Sequence, residues 1–105
     1  MDGDFFDALS NPYRRQIVRM LKWGNYSVNE ITKALEISQP SVSRHLDVLK
    51  KANLVVAERR ANQIIYSLNL SVMQEFVGKM VEFLDDMKDL KEVRKYESNK
   101  GAYNN

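Results

Sequence analysis

Ser38-Gln39-Pro40-Ser41-Val42-Ser43-Arg44-His45-Leu46-Asp47-Val48-Leu49 is the stretch whose reading decides that of the whole chain. Ser38 has the chemistry of an N-cap, its hydroxyl accepting a backbone N–H of the first turn, and Pro40 falls in that turn, where a missing donor costs nothing. Val42, Leu46 and Leu49 recur at helical spacing on one side. Gln39, Ser41, Ser43 and Arg44 fall mainly on other faces, clustered near the start. Gln can pair bidentately with adenine and Arg with guanine, while Ser reaches base edges or phosphates. A helix N-terminus adds N–H groups and a positive dipole end. The segment is either a DNA recognition helix or an amphipathic helix with a solvated polar face, and the rest of the chain has to decide.

Its 105 residues, 44% of them hydrophobic, suit one domain with a buried core. No apolar run is long enough to span a membrane and no basic-then-apolar start directs export, so a cytoplasmic location is expected. The chain has no cysteine and one histidine, His45. Disulfides, thiolate metal sites, thiol redox switching and multi-histidine sites within one chain are thereby excluded. Net charge is only +2, but it is unevenly spread. Positions 1–10 carry three acids and no base, positions 11–70 ten bases against four acids, and positions 71–105 six bases against seven acids. The basic excess therefore surrounds the Ser38–Leu49 stretch, as a nucleic-acid footprint or as solvated surface.

Taken in order, Asp4–Leu9 reads as a short helix opening on acids, with Phe5 and Phe6 buried. Ser10-Asn11-Pro12 restarts the chain, with Asn11 as cap and Pro12 as first helical residue of a helix to about Lys22. Tyr13, Ile17, Met20 and Leu21 form its core face; Arg14, Arg15 and Arg19 reach a phosphate or simply solvate. Trp23-Gly24-Asn25-Tyr26 ends it, with Gly24 able to take positive φ. Ser27-Val28-Asn29-Glu30 has capping-box spacing and opens a third helix with Ile31, Ala34 and Leu35 buried. Glu36-Ile37 then turns into Ser38, giving helix, tight turn, helix. Asn53 is a left-handed C-cap for the next helix.

Leu54–Arg59 and Gln63–Leu68 are β-branched, aromatic-rich runs flanking Arg60-Ala61-Asn62, and they read as one hairpin. Arg59, Arg60 and Asn62 at its tip suit a basic wing reaching a phosphate or minor groove, or serve as edge protection. A last helix is expected from a Ser71 cap, with Gln74 in the capping-box position, to about Tyr96, about 40 Å at ~1.5 Å per residue. Met73, Val77, Met80, Leu84 and Met87 alternate at four and three spacing, and Phe76, Phe83 and Leu90 widen the stripe. A small body cannot cover that face, so a second copy is expected to, giving a symmetric homodimer. Residues 1–97 are read as one DNA-binding and dimerisation domain and 98–105 as a disordered tail.

The chain resembles a known family. Phe6-Asp7-Ala8-Leu9-Ser10-Asn11-Pro12-Tyr13-Arg14-Arg15-Gln16-Ile17, Ser27-Val28-Asn29-Glu30-Ile31, Gln39-Pro40-Ser41-Val42-Ser43-Arg44-His45-Leu46 and Tyr66-Ser67-Leu68, in this order, are similar to motifs of the ArsR/SmtB bacterial winged helix-turn-helix repressors. The resemblance covers about positions 5–90. It implies a mainly α fold with a β-hairpin wing, dimerised through terminal helices, acting as a transcriptional repressor on an imperfect inverted repeat. Gln39, Ser41, Ser43, Arg44, Arg59 and Arg60 are the expected DNA-binding residues. His45, at the helix edge, either joins them or packs at a core margin. Met73, Phe76, Val77, Met80, Leu84 and Met87 are the expected dimer contacts.

The sequence also departs from that family. Metal-sensing members carry cysteines where this chain has Ser27–Ile31, or histidines and acids along the last helix. Neither set is present. Glu82, Asp85, Asp86 and Asp89 form an acidic patch that reads as a solvated face or a weak site for hard cations. No metal or cofactor is expected. Remaining signals are Met oxidation, a small apolar ligand, a sequestering protein partner or autoregulated concentration, the last two preferred. An enzyme is not expected: there is no glycine-rich phosphate loop, and Glu58 and Asp47 stand isolated among bases. The alternative function is a winged-helix protein-interaction module without specific DNA binding.

Overall fold

A computed structural model describes residues 2–88. The expected run of the last helix to Tyr96, the roles given to Leu90 and Asp89, and the tail 98–105 lie outside the described residues. The elements are α1 (Asp2–Ala8), α2 (Pro12–Trp23), β1 (Tyr26–Ser27), α3 (Val28–Leu35), α4 (Gln39–Lys51), β2 (Val55–Arg60), β3 (Gln63–Leu68) and α5 (Leu70–Asp86). The fold is mainly helical with a hairpin wing. The chain divides into two compact units, 1–72 and 73 onward.

Most helices of the first unit start where the capping chemistry puts them. Asn11 Oδ1 accepts from the backbone N–H of Tyr13 (2.8 Å) and Arg14 (3.3 Å), with Pro12 first in α2. Ser27 Oγ accepts from Glu30 N–H at 3.2 Å while Glu30 Oε1 accepts from Ser27 N–H at 2.9 Å, a complete capping box. Ser38 Oγ accepts from Ser41 N–H at the start of α4. Glu36, at φ 57°, makes the tight turn between α3 and α4. Asn53 is left-handed at φ 60°, as expected, although the cap itself is Ala52. Asn53 N–H donates to Lys50 O and Leu54 N–H to Leu49 O, so α4 closes in a Schellman motif that passes directly into β2.

The core of this unit gathers one face from each helix. Ala8 of α1, Ile17 of α2, Ile31 of α3, and Val42, Leu46 and Leu49 of α4 are wholly buried, with Leu54 beside them and Phe5, Leu21, Leu35, Val55 and Tyr66 nearly so. Each large member stabilises by about 1.5–3 kcal/mol. Three expected core positions are exposed, and Met20 is only half-buried. Phe6 is 57% exposed and Tyr13 39% exposed, because α1 and α2 are short and turn only Phe5 and Ala8, and Ile17 and Leu21, inward. Ala34 is exposed for the same reason: Ile31 and Leu35, four apart, already define the narrow buried stripe of α3.

The sheet holds a strand not expected from sequence. Tyr26 and Ser27 pair antiparallel with Tyr66 and Ile65, giving the order β1-β3-β2. The hairpin pairs Val55 with Leu68 through Arg60 with Gln63, leaving Ala61 and Asn62 as a two-residue turn with Ala61 at φ 55°. Gly24 has φ 177°, extended backbone, so the expected positive φ is absent. Glycine is favoured there by crowding, since a Cβ would stand 3.2 Å from Tyr26 Oη.

Arg14 is half-buried and turned back on the chain, and Arg15, though exposed, is tied back in the same way. Arg14 Nε donates to Ala8 O at 2.6 Å and its Nη2 to Asp7 O at 3.2 Å, while Arg15 Nη1 donates to Leu9 O at 2.8 Å. Helix α1 has no base in its own last turn, and these guanidiniums satisfy its terminal carbonyls from α2.

Helix α5 starts two residues earlier than a Ser71 cap allows: Asn69 Oδ1 accepts from Val72 N–H at 3.3 Å, and Ser71 lies inside the first turn. No described residue of α5 is buried. Val77, Met80, Phe83 and Leu84 are exposed, and Met73, Phe76 and Met87 half-buried.

Candidate nucleic-acid interface

Helix α4 sets its buried stripe and its polar residues on opposite sides. With Val42, Leu46 and Leu49 wholly buried, Gln39 and Arg44 are exposed and Ser41 and Ser43 half-buried. The first turn is internally ordered. Ser38 Oγ donates to Ser41 Oγ at 2.8 Å, and Arg44 Nη2 donates to the same oxygen at 3.4 Å. Ser41 Oγ thus accepts twice and keeps its own proton to donate, while Arg44 is steadied along the helix with most of its N–H groups left to point outward.

His45 is turned toward α2. Its Nδ1 lies 3.3 Å from Arg14 Nη1, and its ring stacks at a tilt on Tyr13, centroids 5.8 Å apart. A guanidinium can only donate, so Nδ1 accepts and the imidazole is neutral with its proton on Nε2. Burial lowers the His45 pKa below its ordinary value, and the charges of Arg14 and Arg44 lower it further. A lowered folded-state pKa means that the unfolded chain binds more protons as pH falls below about 6.5, so this group destabilises the fold on acidification and contributes nothing at higher pH. Titrated by proton NMR, the single histidine is expected to show a midpoint below that of a histidine peptide. A midpoint at or above the peptide's would contradict the Arg14 contact.

The wing carries Arg59 and Arg60, both exposed, at the end of β2. Arg60 Nη2 is 3.5 Å from Glu58 Oε2, an exposed pair. So open a pair holds the side chain only weakly, and Arg60 can exchange it for a phosphate. Of the positions expected to read DNA, α4 groups Gln39, Ser41, Ser43 and Arg44 and the wing groups Arg59 and Arg60, while His45 faces inward to α2.

Sequence reasoning missed one feature. Between the first residue of α4, the N-terminus of α3 and the wing turn lies a cleft of about 230 Å³, lined by Ser27, Asn29, Gln39, Asn62 and Gln63 together with Val28 and Ile64. The β1–β3 pairing brings α3 beside the wing. A two-residue strand carries almost no periodic signal, so nothing in the sequence announced that neighbourhood.

Among the described residues no group of three or more His, Cys, Asp or Glu side chains could hold a metal ion. No described helix is long and apolar enough to cross a membrane.

Comparison with known proteins gives a consistent picture. The profile of the family described as bacterial regulatory protein, arsR family, matches residues 11–56, from the α2 cap through α4 into β2. The transcriptional repressor SdpR of Bacillus subtilis is 39% identical over 83 residues, covering 79% of this chain and 92% of the relative. The solved structure of the transcriptional repressor BigR from Xylella fastidiosa superposes with a TM-score of 0.62 at 30% identity, covering 77% of this chain and 83% of the other. A homodimeric winged helix-turn-helix DNA-binding domain from Mycobacterium bovis superposes with a TM-score of 0.66 at 28% identity, covering 81% of this chain and 78% of that one.

Proposed function

Since the chain belongs to the arsR family of bacterial regulatory proteins, and so is a DNA-binding transcriptional repressor, we propose that it acts as a homodimer on an inverted-repeat operator. Each protomer sets α4 into a major groove and its wing onto the flanking backbone. The observation that carries this reading is the division of α4: a wholly buried face of Val42, Leu46 and Leu49 fixes the helix, and Gln39 and Arg44 stand exposed on the other side. Gln39, Ser41, Ser43 and Arg44 read base edges. Arg59 and Arg60 hold phosphates or enter the minor groove, and His45 keeps α4 in place through Arg14 and Tyr13.

Dimerisation falls to the α5 face of Met73, Phe76, Val77, Met80, Leu84 and Met87. The homodimeric Mycobacterium bovis relative supports this, as does the large apolar surface that α5 exposes. Residues 1–97 then make up the DNA-binding and dimerisation domain, with 98–105 as tail. The site of action is the bacterial cytoplasm, where the DNA is. Repression is relieved by dilution of the dimer or by a sequestering protein; its chain has no thiolate and one imidazole, too few ligands for a tight soft-metal switch.

Two substitutions test the docking. Arg44→Ala is expected to cost about 1–3 kcal/mol on the preferred duplex and to relax preference at one base pair. Arg60→Ala is expected to weaken all sequences alike and to lower the slope of log affinity against log salt by about one. Unchanged affinity in both variants would count against α4 and the wing as the DNA-binding surface.

A further inference from the structure

We propose that the cleft between the start of α4 and the wing turn seats one phosphodiester group of the DNA backbone, gripped by uncharged amides and not by cations. The inference rests on the docking described above and adds a contact to it. Gln39 is the first residue of α4, Asn62 lies in the turn of the wing, and Gln63 opens β3 directly after it. A recognition helix reads bases with its N-terminal residues. With that end in the major groove and the wing turn on the neighbouring backbone, the strand bordering the groove crosses the space between them. That space is the cleft.

The cleft has room for a phosphodiester and offers amide donors on a largely apolar surface. Asn29, Asn62 and Gln63 each carry an amide with two N–H donors, Gln39 borders the cleft while its amide is left to the bases, and no lining residue is charged. The nearest carboxylate in sequence, that of Glu30, is engaged in the capping box by Ser27 N–H. A volume of about 230 Å³ holds a group of several heavy atoms, since roughly 10–15 Å³ already admits one water. Val28 and Ile64 in the lining give apolar surface for the sugar carbons on either side.

Uncharged donors leave a thermodynamic signature distinct from that of the wing arginines. A cation that neutralises a phosphate releases a condensed counterion and steepens the salt dependence, whereas an amide hydrogen bond adds affinity without doing so. Asn29 and Gln63 are exposed in the protein alone, so their truncation leaves the fold intact.

The test uses the full chain and a duplex that it selects from a random pool, with affinities measured across a salt series. Asn29→Ala and Gln63→Ala are each expected to weaken the selected duplex and unrelated DNA equally, by about tenfold for a hydrogen bond to a charged group, with the salt slope unchanged. Ethylation of single phosphates adds a positional readout. At least one phosphate per half-site should weaken the parent when ethylated, yet cause no further loss in the Asn29→Ala/Gln63→Ala double variant. Unchanged affinity, a reduced salt slope, an altered base preference or additive ethylation losses would each overturn the cleft as a phosphodiester seat. Failure of the parent chain to select any duplex would instead overturn the repressor reading beneath it.

Discussion

A Met80→Glu/Leu84→Glu double variant is expected to sediment as a monomer at micromolar concentration, and the parent chain as a dimer. Met80 is 41% exposed and Leu84 60% exposed in the chain alone, on a helix with no buried described residue. An isolated protein rarely leaves so continuous an apolar face in water. Two-fold symmetry brings each position to the interface twice, so the double variant places four carboxylates in a surface built of Met, Val, Phe and Leu. Each uncompensated buried charge costs several kcal/mol, and about 4 kcal/mol already corresponds to a thousandfold loss of affinity. Glutamate favours helix, so far-UV circular dichroism should be nearly unchanged. A variant that stays dimeric, or a parent that is monomeric, would place the interface elsewhere.

Leu46→Ala should be the most damaging conservative change in the unit that holds α4. Leu46 is wholly buried at the middle of α4, between Val42 and Leu49. Truncation removes its transfer free energy and leaves a cavity that helices on several sides cannot collapse to fill, about 2–5 kcal/mol in comparable cores. For a domain of this size, each kcal/mol shifts the melting temperature by roughly 4–8 °C. A fall of about 10 °C or more is therefore expected, compared at one protein concentration because dimerisation couples to unfolding. Ser43→Ala, one helical turn away and half-buried, should stay within about 0.5 kcal/mol of the parent. Similar small effects from both changes would mean that α4 is not anchored by this stripe.

The sequence made α4 legible because two independent signals coincide there: capping chemistry at Ser38 and an apolar repeat from Val42 to Leu49. The same held for the Ser27–Glu30 capping box and for the hairpin, whose expected limits differ from the observed ones by one residue in β2. What failed was tertiary. Phe6 and Tyr13 are apolar, but the faces that helices of seven and twelve residues turn inward are set by neighbours. Arg14 and Arg15 looked like outward charges because nothing local reveals that the carbonyl ends of α1 come to rest against them. The contact of Arg14 with His45, thirty-one residues away, is invisible for the same reason. So is the cleft, which needs β1 to bring Asn29 beside Gln63. Sequence therefore exposed α4 more clearly than the groups that hold it in place.

The most direct test of the central claim is selection of bound duplexes from a random DNA pool, with affinity measured against unrelated DNA at physiological salt. The account predicts enrichment of an inverted repeat whose half-sites lie about one helical turn, roughly 34 Å, apart, bound about a thousandfold or more tighter than unrelated sequence. A pool that yields no enriched sequence, with equal affinity for every duplex, would contradict it.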